Sequence, residues 1–278
     1  MNEQSHVLVS DSDVDVFQRD GVVCLRGLFD SEWIECAREA MDRIIANPTD
    51  QGMLINPKGT PGRFERDLFM WMADDGFRKL ALQSPVGEIA AGCMKSSRVN
   101  LLLDMMLTKE PQTPSISPWH HDLPYNWVEG TQVCGMWLSL DHATPESGAA
   151  EWIRGSHKWG RQFATRPFQG GAYEIEDGLE AMPDIDGDRE SYDIVQFETE
   201  PGDCIVNHLL TVHWAPGNHS DGRRRAVVYR LCGDDAVYAE RGPGRPKPKY
   251  DPGLNPGDPI PQGHDQFPTI WPHEGRSS

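Results

Sequence analysis

The chain has no Cys-x-x-Cys pair, although it carries six cysteines in 278 residues. Cys24, Cys36, Cys93, Cys134, Cys204 and Cys232 are scattered, several of them in apolar runs. There a reduced core thiol is the ordinary state, which fits a cytoplasmic setting. Long apolar runs are also missing. No stretch reaches membrane-spanning length, and the opening Met1-Asn2-Glu3-Gln4-Ser5 lacks the basic and apolar blocks of a signal peptide. Basic charge is scarce: 26 Lys and Arg against 43 acids give a formal charge of −17. Neither nucleic acid nor an anionic membrane is therefore expected as a main partner. There are no internal repeats. Turn chemistry is plentiful, with 27 Gly and 22 Pro, as a strand-rich fold requires. A small-molecule partner is the expectation, and the oligomeric state stays open.

In chain order, a polar start leads to a helix over 11–19, capped by Asp11 or Ser12 and stopped by Asp20-Gly21. Val22-Val23-Cys24-Leu25 reads as a buried strand. Asp30-Ser31 caps a second helix, whose Ile34, Ala37, Met41, Ile44 and Ile45 keep the 3.6 period until Asn47-Pro48. After a loop over 49–63, helices are predicted at 75–83 and 85–95, the latter with Ser84 at its cap and Pro85 in its first turn. From Arg98 the pattern changes to strands at 99–109, 131–140, 151–154, 193–198, 204–208 and 224–232. Without βαβ alternation, this is a mainly β chain with flanking helices, a jelly roll. One domain over 1–278 is expected, with a mostly helical flank (1–97) and a jelly-roll core (98–235). An acidic loop (166–192) interrupts the core, and a Pro-rich extension (242–278) should run extended over the surface.

Chemistry concentrates in Ser117-Pro118-Trp119-His120-His121-Asp122-Leu123. In extended chain, His120 and Asp122 project to one face. They supply two thirds of the 2-His-1-carboxylate facial triad that holds non-haem Fe(II). The third ligand must come from far along, and His208 and His213 compete for it. On one regular strand their odd separation would turn them to opposite faces. His213 precedes a turn-forming run over 215–222, after which the strand at 224–232 can return one arginine to the metal side. If Arg224 points inward, Ala226 and Val228 share its face, while Arg223 and Arg225 point away. An inward arginine suits 2-oxoglutarate. The keto-acid end of that molecule chelates iron through two oxygens, and its distal carboxylate needs a planar, two-pronged donor. Three protein ligands leave three positions, two for 2-oxoglutarate and one for O2.

The set His120-x-Asp122, His213, Asn218, Ser220 and Arg224 resembles the phytanoyl-CoA dioxygenase family. These are Fe(II)- and 2-oxoglutarate-dependent oxygenases on a double-stranded β-helix. Phe17-x-x-Asp20-Gly21-Val22-Val23, Leu25-Arg26-Gly27-Leu28-Phe29, the run from Trp137 to Gly148, Gly155-Ser156-His157 and Gly202-Asp203 are similar to the family as well. The resemblance implies His120, Asp122 and His213 as iron ligands and Arg224 as the anchor of the distal carboxylate. It also implies Trp137 and Met105 as walls of the cofactor site. His121 stands where the family usually has glutamine, a position from which it could hydrogen-bond the cofactor. Arg154 stands where the family often has proline. Asp122 disfavours halogenation, whose practitioners carry a small residue there. The implied reaction is hydroxylation of a C–H bond with release of succinate and CO2; desaturation and ring chemistry are variants.

The substrate is less legible. Tyr125 and Trp127 are placed to line a pocket mouth, and 53–71 could form a lid whose Arg63 or Arg66 meets an acidic group. No basic cluster favours a CoA thioester, so a small metabolite or natural-product intermediate is expected. Two alternatives stand beside this. One is a cupin-like hydrolase or isomerase holding Zn(II) or Mn(II) with the same three residues, which has no use for an inward arginine. The other is a non-catalytic binding module, against which the intact triad argues.

Overall fold

The computed structural model describes residues 8–56, 58–165, 179–242 and 247–273. The start of the chain, 166–178 of the acidic loop and parts of the Pro-rich extension lie outside these. Helix α1 (Asp11–Asp20) is capped by Ser10, one residue earlier than expected, through Asp13 N–H donating to its Oγ at 3.2 Å. Gly21, at φ 74°, ends the helix by donating to Phe17 O. Strand β1 (Val22–Leu25) follows, and then α2 (Ser31–Ala46), whose Asp30 carboxylate accepts from the Glu32 and Trp33 amides. Next come β2 (Met53–Leu54), β3 (Phe64–Leu68), α3 (Met70–Ala73), α4 (Asp75–Gln83) and α5 (Val86–Met94). The rest is strands: β4 (Val99–Lys109), β5 (Ser117–His120), β6 (Val128–Glu129), β7 (Val133–Ser139), β8 (Glu151–Ile153) and β9 (Ile194–Gln196). They continue with β10 (Cys204–His208), β11 (His213–Ala215), β12 (Arg224–Cys232), β13 (Val237–Tyr238) and β14 (Thr269–Trp271).

The strands form a jelly roll of two main sheets. The larger runs β1-β10-β7-β12-β4-β3-β2, with β14 beside the start of β4, and the smaller runs β5-β11-β8-β9. All these pairings are antiparallel, and side-chain parity divides β7, β10 and β12 between two faces, while a bulge in β4 opposite Arg230 and Leu231 switches its parity between Leu101 and Leu103. Cys134, Met136 and Leu138 of β7, Val227, Tyr229 and Leu231 of β12, and Val206 of β10 face the helices, packing with Ala37, Met41, Phe77 and Ile89. The opposite parity, including Trp137, Val228, Arg230 and Asn207, lines a cavity between the two sheets. One face of the large sheet is core and the other is site.

Two expectations about the flanks need correction. The stretch proposed as a lid is largely secondary structure: β3 pairs with β4 from Phe64↔Lys109 to Leu68↔Met105, and Phe69, Met70 and Trp71 are buried. Apolar residues at Phe64, Leu68 and Phe69 give this segment a place in the sheet that a loop would not need. The Pro-rich extension is not a surface strap either, because Ile260, Phe267 and Ile270 are buried. Asn100 Nδ2 donates to Phe267 O at 2.7 Å and to Pro261 O at 3.1 Å, and β14 pairs with β4. Prolines remove donors but leave carbonyls and apolar side chains free to dock. No described helix is long and apolar enough to cross a membrane.

Candidate active site

His120 closes β5 and His213 opens β11, and antiparallel pairing sets them directly opposite, with ring centroids 4.2 Å apart. Asp122 sits in the turn after β5, its N–H donating to Leu209 O at 2.7 Å. His120 Nε2 lies 3.7 Å from Asp122 Oδ1, and His213 Nε2 lies 3.9 Å from Oδ2. One ligand atom from each residue falls within 4.8 Å of the others, the spacing of a metal centre. The tautomers suit this. His120 Nδ1 donates to Pro118 O at 2.7 Å and His213 Nδ1 to Thr211 O at 2.9 Å, so both Nε2 lone pairs face the shared space. Trp152 stacks on His213 at 4.4 Å and holds the ring in plane.

Protonation follows from burial. Desolvation pushes both imidazoles down, His213 to about 3, so the rings are neutral near pH 7. Desolvation also works to raise the Asp122 carboxyl, but it is held below its ordinary value, with the Arg230 guanidinium the largest opposing cause and an Asn207 hydrogen bond contributing. Two neutral imidazoles and one ionised carboxylate form a donor set that fits Fe(II).

Asp122 has two further partners that the sequence reading missed. Arg230 Nη2 donates to Oδ1 at 2.7 Å, and Asn207 Nδ2 approaches Oδ2 at 3.5 Å. Both flank Gly135, which pairs with Asn207 on β10 and Arg230 on β12. A Cβ at Gly135 would come 2.7 Å from Asn207 Oδ1 and 2.9 Å from Arg230 Nη1. The glycine thus leaves the room in which arginine and asparagine converge on the carboxylate. Parity was the available signal, since an inward Arg224 turns Arg230, six residues on, to the same face.

Arg224 does point inward. It is 3 % exposed, lies over the Trp137 ring at 5.7 Å and lines the same cavity as the triad. Its Nε has no hydrogen-bond partner, and among the described residues it forms no ion pair. Burial lowers it to about 10. Its neighbours behave as parity predicts: Arg223 pairs with Glu110 at 2.8 Å and Arg225 with Asp141 at 2.9 Å, both on the outer face. A buried guanidinium that faces a cavity and forms no ion pair among the described residues, the nearby Asp141 being held by Arg225, fits a ligand carboxylate. Met105, Trp137 and Tyr125 line this cavity too, and the Tyr125 ring stands edge-on to His120 at 6.1 Å.

Other expected residues are placed elsewhere. His121 turns away from the cavity: its Nε2 accepts from Phe163 N at 2.9 Å and its ring packs on Phe163, so it does not reach a cofactor. Adjacent residues of an extended chain face opposite ways, and His120 holds the inward position. Trp127 is core, between Phe69 at 6.0 Å and Phe267 at 6.3 Å. Arg63 is at the surface, paired with Glu65, whereas Arg66 enters the cavity. His208 is not in competition with His213. The chain leaves the large sheet at His208 and joins the small one at His213, and His208 Nε2 donates to Thr131 O.

Comparison with known proteins accords with this geometry. The family described as Phytanoyl-CoA dioxygenase (PhyH) matches residues 17–226. A Phytanoyl-CoA dioxygenase domain-containing protein 1 homolog from Caenorhabditis briggsae is 22 % identical over 261 residues, covering 77 % of this chain and 88 % of its own. Among solved structures, the non-heme alpha ketoglutarate dependent carbocyclase SnoK from nogalamycin biosynthesis superposes with a TM-score of 0.74 at 21 % identity. That match covers 94 % of this chain and 96 % of SnoK. The epimerase SnoN from the same biosynthesis gives 0.72 at 21 % identity, over 94 % and 98 %. The two structures share the fold, and the match over most of the length, joined to the His–Asp–His centre, places the chain in the phytanoyl-CoA dioxygenase family of iron- and 2-oxoglutarate-dependent oxygenases.

Proposed function

We propose that the protein hydroxylates a C–H bond of a small metabolite or natural-product intermediate in the cytoplasm. Iron and 2-oxoglutarate supply the oxidising chemistry with O2, giving succinate and CO2. The chain's part is to hold and orient. His120, Asp122 and His213 bind the metal through Nε2, a carboxylate oxygen and Nε2. Arg230 and Asn207 fix the carboxylate. Arg224 clamps the distal carboxylate of 2-oxoglutarate, with Trp137 against the guanidinium and Met105 in the wall that keeps water out. Tyr125, beside His120, and Arg66 are among the polar residues lining the space for substrate, with apolar walls from Leu68, Leu103 and Leu107.

The observation that carries this reading is Arg224, buried with no ion pair among the described residues, in one cavity with the three ligand residues. The test is anaerobic. Fe(II) and then 2-oxoglutarate are added to the apo-protein, and a weak visible metal-to-ligand charge-transfer band is expected. His213→Ala should abolish it with the far-UV circular dichroism unchanged. Iron binding without the band would refute the 2-oxoglutarate assignment and favour a Zn(II) or Mn(II) hydrolase or isomerase.

A further inference from the structure

Lys109 is the least ordinary residue outside the site described above. It ends β4 with the parity of Leu103, Met105 and Leu107, which line the cavity, but it is not itself a lining residue; it is fully buried beside Arg224, which is. Its register partners are Arg224 on β12 and Phe64 on β3. The Nζ donates to Pro216 O in the β11–β12 loop and lies 4.5 Å from the Phe64 ring centroid. No acid faces it among the described residues. On β3, Glu65 is paired with Arg63; after β4, Glu110 is paired with Arg223; from the loop, Asn218 Nδ2 donates to Lys109 O. The one charge acting on it is Arg224, of the same sign.

A charged amine with one carbonyl partner and a guanidinium beside it is a costly thing to bury. Two states relieve the cost: loss of the proton, or arrival of an anion. We propose that Lys109 is a positioning residue of the co-substrate pocket that acts through its neighbour Arg224, neutral when the pocket is empty and protonated when a carboxylate binds to Arg224. Binding of the 2-oxo dicarboxylate is then coupled to uptake of a proton. This rests on the assignment of Arg224 to the distal carboxylate. Desolvation and Arg224 both push the lysine well below its ordinary value, in keeping with the neutral empty state. A bound carboxylate reverses the sign of the local field and draws the proton back. Arg224 gives the two-pronged geometry and Lys109 a point charge that is present only when needed.

The test is calorimetric. 2-Oxoglutarate is titrated into the Mn(II)-loaded protein at fixed pH in buffers of different ionisation enthalpy, which counts protons directly. Wild type should take up close to one proton per 2-oxoglutarate, and its affinity should fall as pH rises, by up to about tenfold per unit. Lys109→Met should still bind, with no proton uptake and a flat pH dependence. Lys109→Arg, permanently charged, should likewise show no uptake, and it serves if the methionine variant fails to fold. Wild-type binding without proton uptake, or equal uptake in a folded variant, would overturn the inference and leave the Arg224 assignment standing. If wild type does not bind 2-oxoglutarate at all, the proposed function falls, and this inference falls with it.

Discussion

Replacing Arg230 by methionine isolates what holds the metal-binding carboxylate in place. Arg230 and Asp122 are 8 % and 4 % exposed and joined by a 2.7 Å charge-assisted hydrogen bond. Methionine keeps much of the side-chain volume, so the change is chiefly electrostatic. Removing one partner of a buried pair leaves the other charge uncompensated and costs about 3–5 kcal/mol. For a chain of this size, that is a fall in apo-protein Tm of roughly 6–20 °C. Metal affinity should also weaken. With Oδ1 released, the carboxylate no longer presents Oδ2 in one orientation, and loss of such an outer partner typically lowers affinity by about 10–100-fold. Mn(II) titration and thermal unfolding, with and without metal, read both quantities. Gly135→Ala should move in the same direction while leaving every charge in place, because its Cβ intrudes on the same two side chains. An Arg230→Met variant with unchanged Mn(II) affinity and a Tm within about 2 °C of wild type would show that Arg230 does not position Asp122.

Arg224→Ala should raise the 2-oxoglutarate KM by about 100-fold or more, since each charged hydrogen bond lost is worth about 1.5–3 kcal/mol. Arg223→Ala and Arg225→Ala remove only outer-face ion pairs and should change it less than about threefold; equal effects in all three would mean the wrong arginine was assigned. Stability should fall in mild acid. His121 and His208 are lowered to about 4, chiefly by burial, so between about pH 6.5 and 4 the unfolded chain binds protons there that the folded chain does not. Each ring then contributes a loss of up to about 1.4 kcal/mol per pH unit, and urea titrations at several pH values should show a shallower slope in His208→Gln. Phe267→Ala should cost about 3–5 kcal/mol in a denaturant melt, whereas a residue on a surface strap would cost less than about 0.5.

The long strands were legible because they carry enough residues for period and parity to show. The predicted 204–208 and 224–232 coincide with β10 and β12, and alternation along β12 separated Arg224 from Arg223 and Arg225. The same alternation held Arg230 in plain view. It was overlooked because an arginine amid Val, Tyr and Leu carries no motif, and its partner Asp122 lies 108 residues away. Short strands were harder: β11 has three residues, and its membership of the small sheet is decided by pairing with β5 and β8 rather than by its own pattern. The odd spacing of His208 and His213 separated the two correctly, with His213 in the triad, although they lie on two strands rather than on opposite faces of one. Composition misled at the C-terminus, where prolines drew attention away from Ile260, Phe267 and Ile270. Near the metal, Tyr125 and Trp127 were indistinguishable as aromatic residues, and only the turn after Asp122 sends one to the cavity and the other into the core.

The division of β12 by parity bears on how such a chain can change over time. Tyr229 serves the helix layer and Arg230, its neighbour, serves the metal-binding carboxylate. Deleting or inserting one residue between 225 and 230 would carry Val227 and Tyr229 into the cavity and swing an arginine into the hydrocarbon interior. A single length mutation there would damage stability and chemistry together unless a bulge absorbed it, as one in β4 does opposite Arg230 and Leu231. Divergence along β12 is therefore expected to proceed mainly by substitution, one face at a time. New specificities would instead be sought where register imposes nothing, such as the turn after Asp122 that carries Tyr125.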